Sequence, residues 1–88
     1  MDNKQIQIKV WIKSDCPFCI KAREELLLKQ VNHAVYVMDD ALDELQSVQD
    51  TWQHTTVPVV VLNENSTENL IGGYTELKKW LDERPTVD

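Results

Sequence analysis

The chain has 88 residues and a formal net charge of −6, with 42% hydrophobic and 27% charged residues. That length makes one domain, residues 1–88, with a small core in which each buried aromatic side chain counts, and the composition is that of an ordinary globular protein. The acidic balance argues against nucleic acid or an anionic membrane surface as a partner, since neither is attracted to such a surface.

The start of the chain, Met1-Asp2-Asn3-Lys4-Gln5, lacks the apolar core of a secretory signal. No apolar run approaches the roughly 20 residues needed to span a bilayer. The expectation is a cytoplasmic protein. Residues 4–13 then alternate, with Ile6, Ile8, Val10 and Ile12 on one face and Gln5, Gln7, Lys9 and Trp11 on the other, the pattern of a half-buried strand. Ser14 and Asp15 interrupt it. Pro17 stands where proline is favoured, at the first position of a helix beginning after Cys16. Cys19, Ala22 and Leu26, with Leu27 beside them, form the inner stripe of that helix; Lys21, Arg23, Glu24, Glu25 and Lys29 form its outer one.

After a polar break, Ala34-Val35-Tyr36-Val37-Met38 has the β-branched and aromatic content of a second strand. Asp39-Asp40 offers an N-cap to a second helix, whose inner face is read as Leu42, Leu45, Val48 or Gln49, and Trp52. The run Val59-Val60-Val61-Leu62 after Pro58 suits a central strand buried on both faces. Asn63-Glu64-Asn65-Ser66 is a turn cluster, and residues 67–71 return as an antiparallel partner. Beyond Gly72-Gly73, the residues Leu77, Trp80 and Leu81 mark a last helix that ends before Pro85. Trp52 and Trp80 are read as core-facing and Trp11 as the more exposed tryptophan. The order is β-α-β-α-β-β-α, an α/β unit with a mixed sheet and helices on its faces.

The chemistry concentrates in Cys16-Pro17-Phe18-Cys19, which holds both cysteines of the chain. A C-x-x-C pair closes a disulfide easily, and in a reducing cytosol it is expected to cycle rather than act as a permanent staple. Cys16, at the start of a helix, meets unpaired backbone N–H groups that favour the thiolate, which makes it the expected nucleophile. Cys19, turned inward, suits the resolving thiol. Half of a zinc site is the alternative, but it needs His33 and His54, which lack zinc-ligand spacing and read as solvated surface. Lys13 adds a positive charge near Cys16, either as a site residue or as a solvated strand-end lysine, and Asp15 opposes it. Val57-Pro58 marks a constrained turn, and Gly72-Gly73 permits close backbone approach, placing Tyr74, Thr75 and Glu76 near any acidic ligand docked at that helix start.

Three motifs stand in one order: Cys16-Pro17-Phe18-Cys19, Thr56-Val57-Pro58, and Ile71-Gly72-Gly73-Tyr74-Thr75-Glu76-Leu77. Together, over nearly the full chain, they resemble glutaredoxins of the dithiol type, with a CPFC variant of the CPYC active site. The resemblance implies the minimal thioredoxin fold, with four strands, three helices and a cis Val57-Pro58 bond beside the active-site cysteines. It implies a monomeric glutathione-dependent thiol–disulfide oxidoreductase that uses glutathione as reducing co-substrate and no metal. Its partners would be disulfide-bonded or glutathionylated proteins, with ribonucleotide reductase among the candidates. By the same resemblance the backbone of Val57, next to Pro58, meets the cysteinyl part of glutathione, Lys13 and Phe18 lie beside the tripeptide, and Gly73, Tyr74, Thr75 and Glu76 approach its γ-glutamyl end.

The chain departs from the family pattern at four positions. Phe18 stands where tyrosine is most usual, Glu76 where aspartate is, and Thr55 where many members carry a basic residue, while Asp15 is an unusual neighbour for the nucleophile. Two rival readings remain at this stage. One is an electron donor to ribonucleotide reductase that takes electrons from thioredoxin reductase; the Gly72–Glu76 stretch speaks against it. The other is a module binding an iron–sulfur cluster through Cys16 and glutathione, which Pro17 disfavours because cluster-binding members usually have a small residue there.

Overall fold

The computed structural model describes residues 6–83. Strand β1 (Ile6–Ile12) leads into helix α1 (Pro17–Leu28), strand β2 (His33–Val37), helix α2 (Leu42–Trp52), strand β3 (Val59–Glu64), strand β4 (Thr67–Gly72) and helix α3 (Tyr74–Glu83). The sheet order is β2-β1-β3-β4. β1 runs parallel to β2, as a strand–helix–strand crossover requires, and antiparallel to β3, which pairs antiparallel with β4. Lys4, Gln5 and Pro85, which the sequence reading assigns to the first strand and to the end of the last helix, lie outside the described residues.

The alternation of β1 explains the layering. Ile8, Val10 and Ile12 face α1 and α3, packing with Cys19, Ala22, Leu26, Leu77 and Leu81 in one core cluster. Trp11 points to the opposite face, where α2 covers the sheet, and joins Met38, Leu45, Val59, Val61 and Trp52. Its ring stacks on Tyr36 of the neighbouring strand, with centroids 5.2 Å apart, so Trp11 is half-buried, as Trp52 and Trp80 are. β3 is the strand buried on both faces: Val59, Val60 and Val61 are each fully buried, and each such side chain contributes on the order of 1.5–3 kcal/mol. These central valines hold the two layers to one sheet. The arrangement is a minimal thioredoxin-like fold, four strands and three helices, as the resemblance implies.

Three local readings change. Leu27 is 65% exposed and Leu42 is 54% exposed. On α1 the stripe Cys19, Ala22, Leu26 saturates the inner face, and Leu27 sits about 100° around the helix from Leu26. Leu42 is the first residue of α2, before the turn in which Leu45 reaches the core. The N-cap of α2 is Ala41, whose methyl offers no acceptor, while Asp39 bonds Ser14 instead. Asp43 and Glu44 still place negative charge in the first turn, where the helix dipole favours it.

Candidate active site

The site is built where β1 ends and α1 begins. Cys16 is the N-cap of α1 in an extended conformation, and its sulfur takes the role a serine oxygen usually plays, accepting the Cys19 N–H at 3.1 Å. Pro17 follows at the position where a missing N–H costs nothing. The loop is closed behind it: the Cys16 N–H donates to the Lys13 carbonyl at 3.3 Å and the Ile20 N–H to the Cys16 carbonyl at 3.1 Å. Cys16 is half-buried and Cys19 fully buried, and both are free thiols.

Burial pushes the Cys19 thiol up to about 12, assisted by its hydrogen bond to the Cys16 sulfur and opposed by the backbone of Lys13. Cys19 therefore holds its proton and offers Cys16 two donors, a backbone N–H and an S–H. A stability signature follows. Below an ordinary thiol value of 9.0 the folded and unfolded chains both keep this proton; between that value and about 12 only the unfolded chain releases it. Stability is expected to fall as pH rises through this window. A Cys19→Ser variant should show a shallower decline in its denaturant midpoint; equal slopes would refute the assignment.

Across from Cys16 lies the turn into β3. The Val57-Pro58 peptide bond is cis, Pro58 is buried, and the Val57 carbonyl oxygen lies 3.7 Å from the Cys16 sulfur. Along the rim, the Phe18 ring of α1 stacks on the Tyr74 ring of α3 at 5.9 Å, while the Lys21 ammonium sits 5.6 Å from the Phe18 centroid. At the start of α3, the Glu76 Oε1 accepts the Gly73 N–H at 2.8 Å, the return half of a capping box, and this bond holds its carboxyl below the usual range.

Of the sequence-predicted residues, Cys16 meets Cys19 and Val57, with Pro58 next along the chain, Phe18 meets Tyr74, and Gly73 meets Glu76. Thr75 is exposed in the first turn of α3. Lys13 contributes through its backbone on both sides of the cysteine pair, and its charge also acts on Asp39.

Two groups hold places that the sequence reading did not give them. Asp39, at the far end of β2, accepts hydrogen bonds from both the Ser14 N–H, at 2.9 Å, and the Ser14 hydroxyl. These bonds lower its carboxyl from the ordinary value and tie down the loop that carries Cys16. The other is His54, half-buried, with Nε2 3.3 Å from the Thr56 hydroxyl. Its position two residues before Thr56-Val57-Pro58 was the available signal. Neither histidine joins the cysteines: His33 Nδ1 meets the Val31 carbonyl at 2.7 Å, and among the described residues no group of three or more His, Cys, Asp or Glu is placed to hold a metal. Among the same residues no helix is long and apolar enough to cross a membrane.

A thiol-capped helix facing a cis-proline turn, on a four-stranded mixed sheet, defines a thioredoxin-like protein with a C-x-x-C pair at its site. Residues 8–66 match the family model for glutaredoxin, and the chain belongs to the glutaredoxin family. The match runs from β1 to the β3–β4 turn, so the Gly72–Glu76 stretch lies beyond it.

Solved structures agree in fold. Glutaredoxin 1 from Francisella tularensis, complexed with cacodylate, superposes with a TM-score of 0.68 at 22% identity, covering 90% of this chain and 95% of that one. The dithiolic glutaredoxin from Trypanosoma brucei brucei gives 0.66 at 25% identity, covering 86% and 77%. A maleylacetoacetate isomerase from Anaeromyxobacter dehalogenans, with glutathione bound in its active site, gives 0.68 at 19% identity; it is covered over 38% of its own length, against 91% of this chain. The chain therefore spans well under half of that isomerase. None of the curated proteins compared with the chain matches it.

Proposed function

We propose that the chain is a dithiol glutaredoxin, a glutathione-dependent thiol–disulfide oxidoreductase acting as one domain. Its C-P-F-C site would reduce glutathionylated thiols and protein disulfides. The observation that carries this reading is the Cys16 sulfur at the N-cap of α1, receiving the Cys19 N–H at 3.1 Å and standing 3.7 Å from the Val57 carbonyl. Membership of the glutaredoxin family supports glutathione-related thiol chemistry, and the glutathione bound by the isomerase of like fold supports the co-substrate.

In the proposed cycle the Cys16 thiolate attacks the glutathione sulfur of a glutathionylated protein. The S–S bond breaks, the protein thiolate leaves and takes a proton, and a mixed disulfide remains on Cys16. A second glutathione thiolate attacks that disulfide, releasing oxidised glutathione and the Cys16 thiolate. With a protein disulfide, Cys19 instead attacks the mixed disulfide on Cys16. Its proton goes to the departing thiolate, and the resulting Cys16–Cys19 disulfide is reduced by two glutathiones in turn. Cys19 keeps its proton until that step, which matches its buried, strongly basic thiolate.

In this reading the Val57 backbone beside Pro58 aligns the cysteinyl part of glutathione. Lys13 and Phe18 flank the tripeptide, and Gly73, Tyr74, Thr75 and Glu76 receive the γ-glutamyl end. The test is turnover of hydroxyethyl disulfide with glutathione and glutathione reductase, run beside thioredoxin reductase as sole electron source. Glutathione is expected to sustain turnover; turnover with thioredoxin reductase alone, and none with glutathione, would overturn the proposal.

A further inference from the structure

His54 is weighed from the sequence only as a zinc ligand, yet three elements bring it beside Gly73 and Thr56. It follows α2, its N–H donating to the Gln49 carbonyl at 3.0 Å, and its Nε2 meets the hydroxyl of Thr56, the residue before Val57. On the other side is the glycine turn before α3. A Cβ built on Gly73 would stand 3.7 Å from His54 Nε2 and 3.4 Å from Glu76 Oε1. Imidazole and carboxylate therefore both lie on the side of residue 73 from which a Cβ would project, each within van der Waals reach of it.

We propose that His54 is a binding residue at the Glu76 end of the groove, and that its protonation strengthens the hold on the α-carboxylate of a γ-glutamyl ligand. The inference rests on the glutathione reading above and adds to it a residue and a pH dependence. A γ-glutamyl end presents an α-ammonium and an α-carboxylate side by side. With His54 neutral, the Glu76 carboxylate suits the ammonium and repels the carboxylate. With His54 protonated, the pair offers one charge of each sign, the complement of the zwitterion. Protonation also reverses the polarity of the Thr56 contact. Neutral Nε2 can accept from the Thr56 hydroxyl; once protonated it donates, and that hydroxyl proton is free for the ligand.

The elements around the pair carry further polar and charged groups. From α2, the Asp50 carboxylate accepts from the Gln46 amide at 2.9 Å, and Gln49 donates its amide to the Thr56 carbonyl at 3.3 Å. The turn before α3 supplies two glycines without charge. On α3, Lys79 and Glu83 line with Glu76 a hollow toward Ile71 and Trp80. Cys16 lies beyond Val57. Glu76 stays ionised over the range in which imidazoles titrate, because the Gly73 N–H and the nearby His54 both keep its carboxyl below the ordinary value.

The experiment is titration of the reduced full chain with S-methylglutathione, a thioether that cannot exchange, at about pH 5.5 and about pH 8. Wild type is compared with His54→Gln. Wild type is expected to bind about three- to fivefold more tightly at the lower pH, the size of a solvent-accessible ion pair. His54→Gln should lose that difference, and so should wild type with an analogue whose γ-glutamyl end lacks the α-carboxylate. Any pH effect arising from Cys16 would persist in His54→Gln and is separated by this comparison. A full pH dependence in the variant, or in the analogue, overturns the inference, as does pH-independent binding by wild type, which leaves the glutathione reading standing. No binding by wild type at either pH overturns both.

Discussion

Cys16→Ser is expected to lower turnover in the glutathione-coupled assay by more than about a thousandfold, because one atom carries both the nucleophile and the mixed disulfide. A serine hydroxyl at the same N-cap would still accept the Cys19 N–H, so the helix start and the fold should survive. The loss would then be chemical, seen as unchanged thermal unfolding beside absent activity. Cys19→Ser should behave differently. It removes the thiol that resolves protein disulfides but leaves Cys16 and the glutathione route, so reduction of a glutathionylated substrate should persist while direct dithiol reduction is lost. Loss of both activities in Cys19→Ser would contradict the division of labour between an N-capping thiol and a buried, protonated one.

Gly72→Ala is expected to destabilise the fold by about 2–4 kcal/mol, while Gly73→Ala should cost less than about 1 kcal/mol. The contrast comes from adjacent positions with different surroundings. Gly72 has φ +132°, a conformation L residues rarely adopt, and a Cβ there would lie 2.9 Å from the Cβ, Cγ and Oε1 of Glu76. Moving Glu76 aside breaks its bond to the Gly73 N–H, so strain and loss of the α3 cap add together. At Gly73 the nearest atom to a Cβ is Glu76 Oε1 at 3.4 Å, close to ordinary contact. Against a total stability of about 5–15 kcal/mol for a domain of this kind, the first change is large. Denaturant midpoints of the two variants check it, and equal losses would refute the argument.

The fold was legible where one physical cause dominates a segment. The alternation of β1, the continuous valines of β3 and the stripe Cys19, Ala22, Leu26 each fix an element and its buried face, because burial selects the period directly. The cysteine pair was legible for a similar reason: Pro17 at the first helical position places Cys16 at the cap. What the sequence hid depends on partners distant along the chain. Asp39 reads locally as a helix cap, but Ser14, 25 residues earlier, supplies two donors that hold its carboxylate instead. His54 reads as one polar residue among several, and only the meeting of its loop with the α3 turn sets it beside Glu76. Leu27 and Leu42 are apolar residues just off a stripe, and a short helix does not separate them from the buried face by pattern alone.

The central claim, that Cys16 carries the glutathione mixed disulfide, is tested most directly by trapping it. Cys19→Ser protein exposed to oxidised glutathione and then digested for mass spectrometry should carry one glutathione, on the peptide containing Cys16, removable by added reduced glutathione. A Cys19→Ser protein that acquires no glutathione, while its Cys16 remains accessible to a small alkylating agent, would contradict the account.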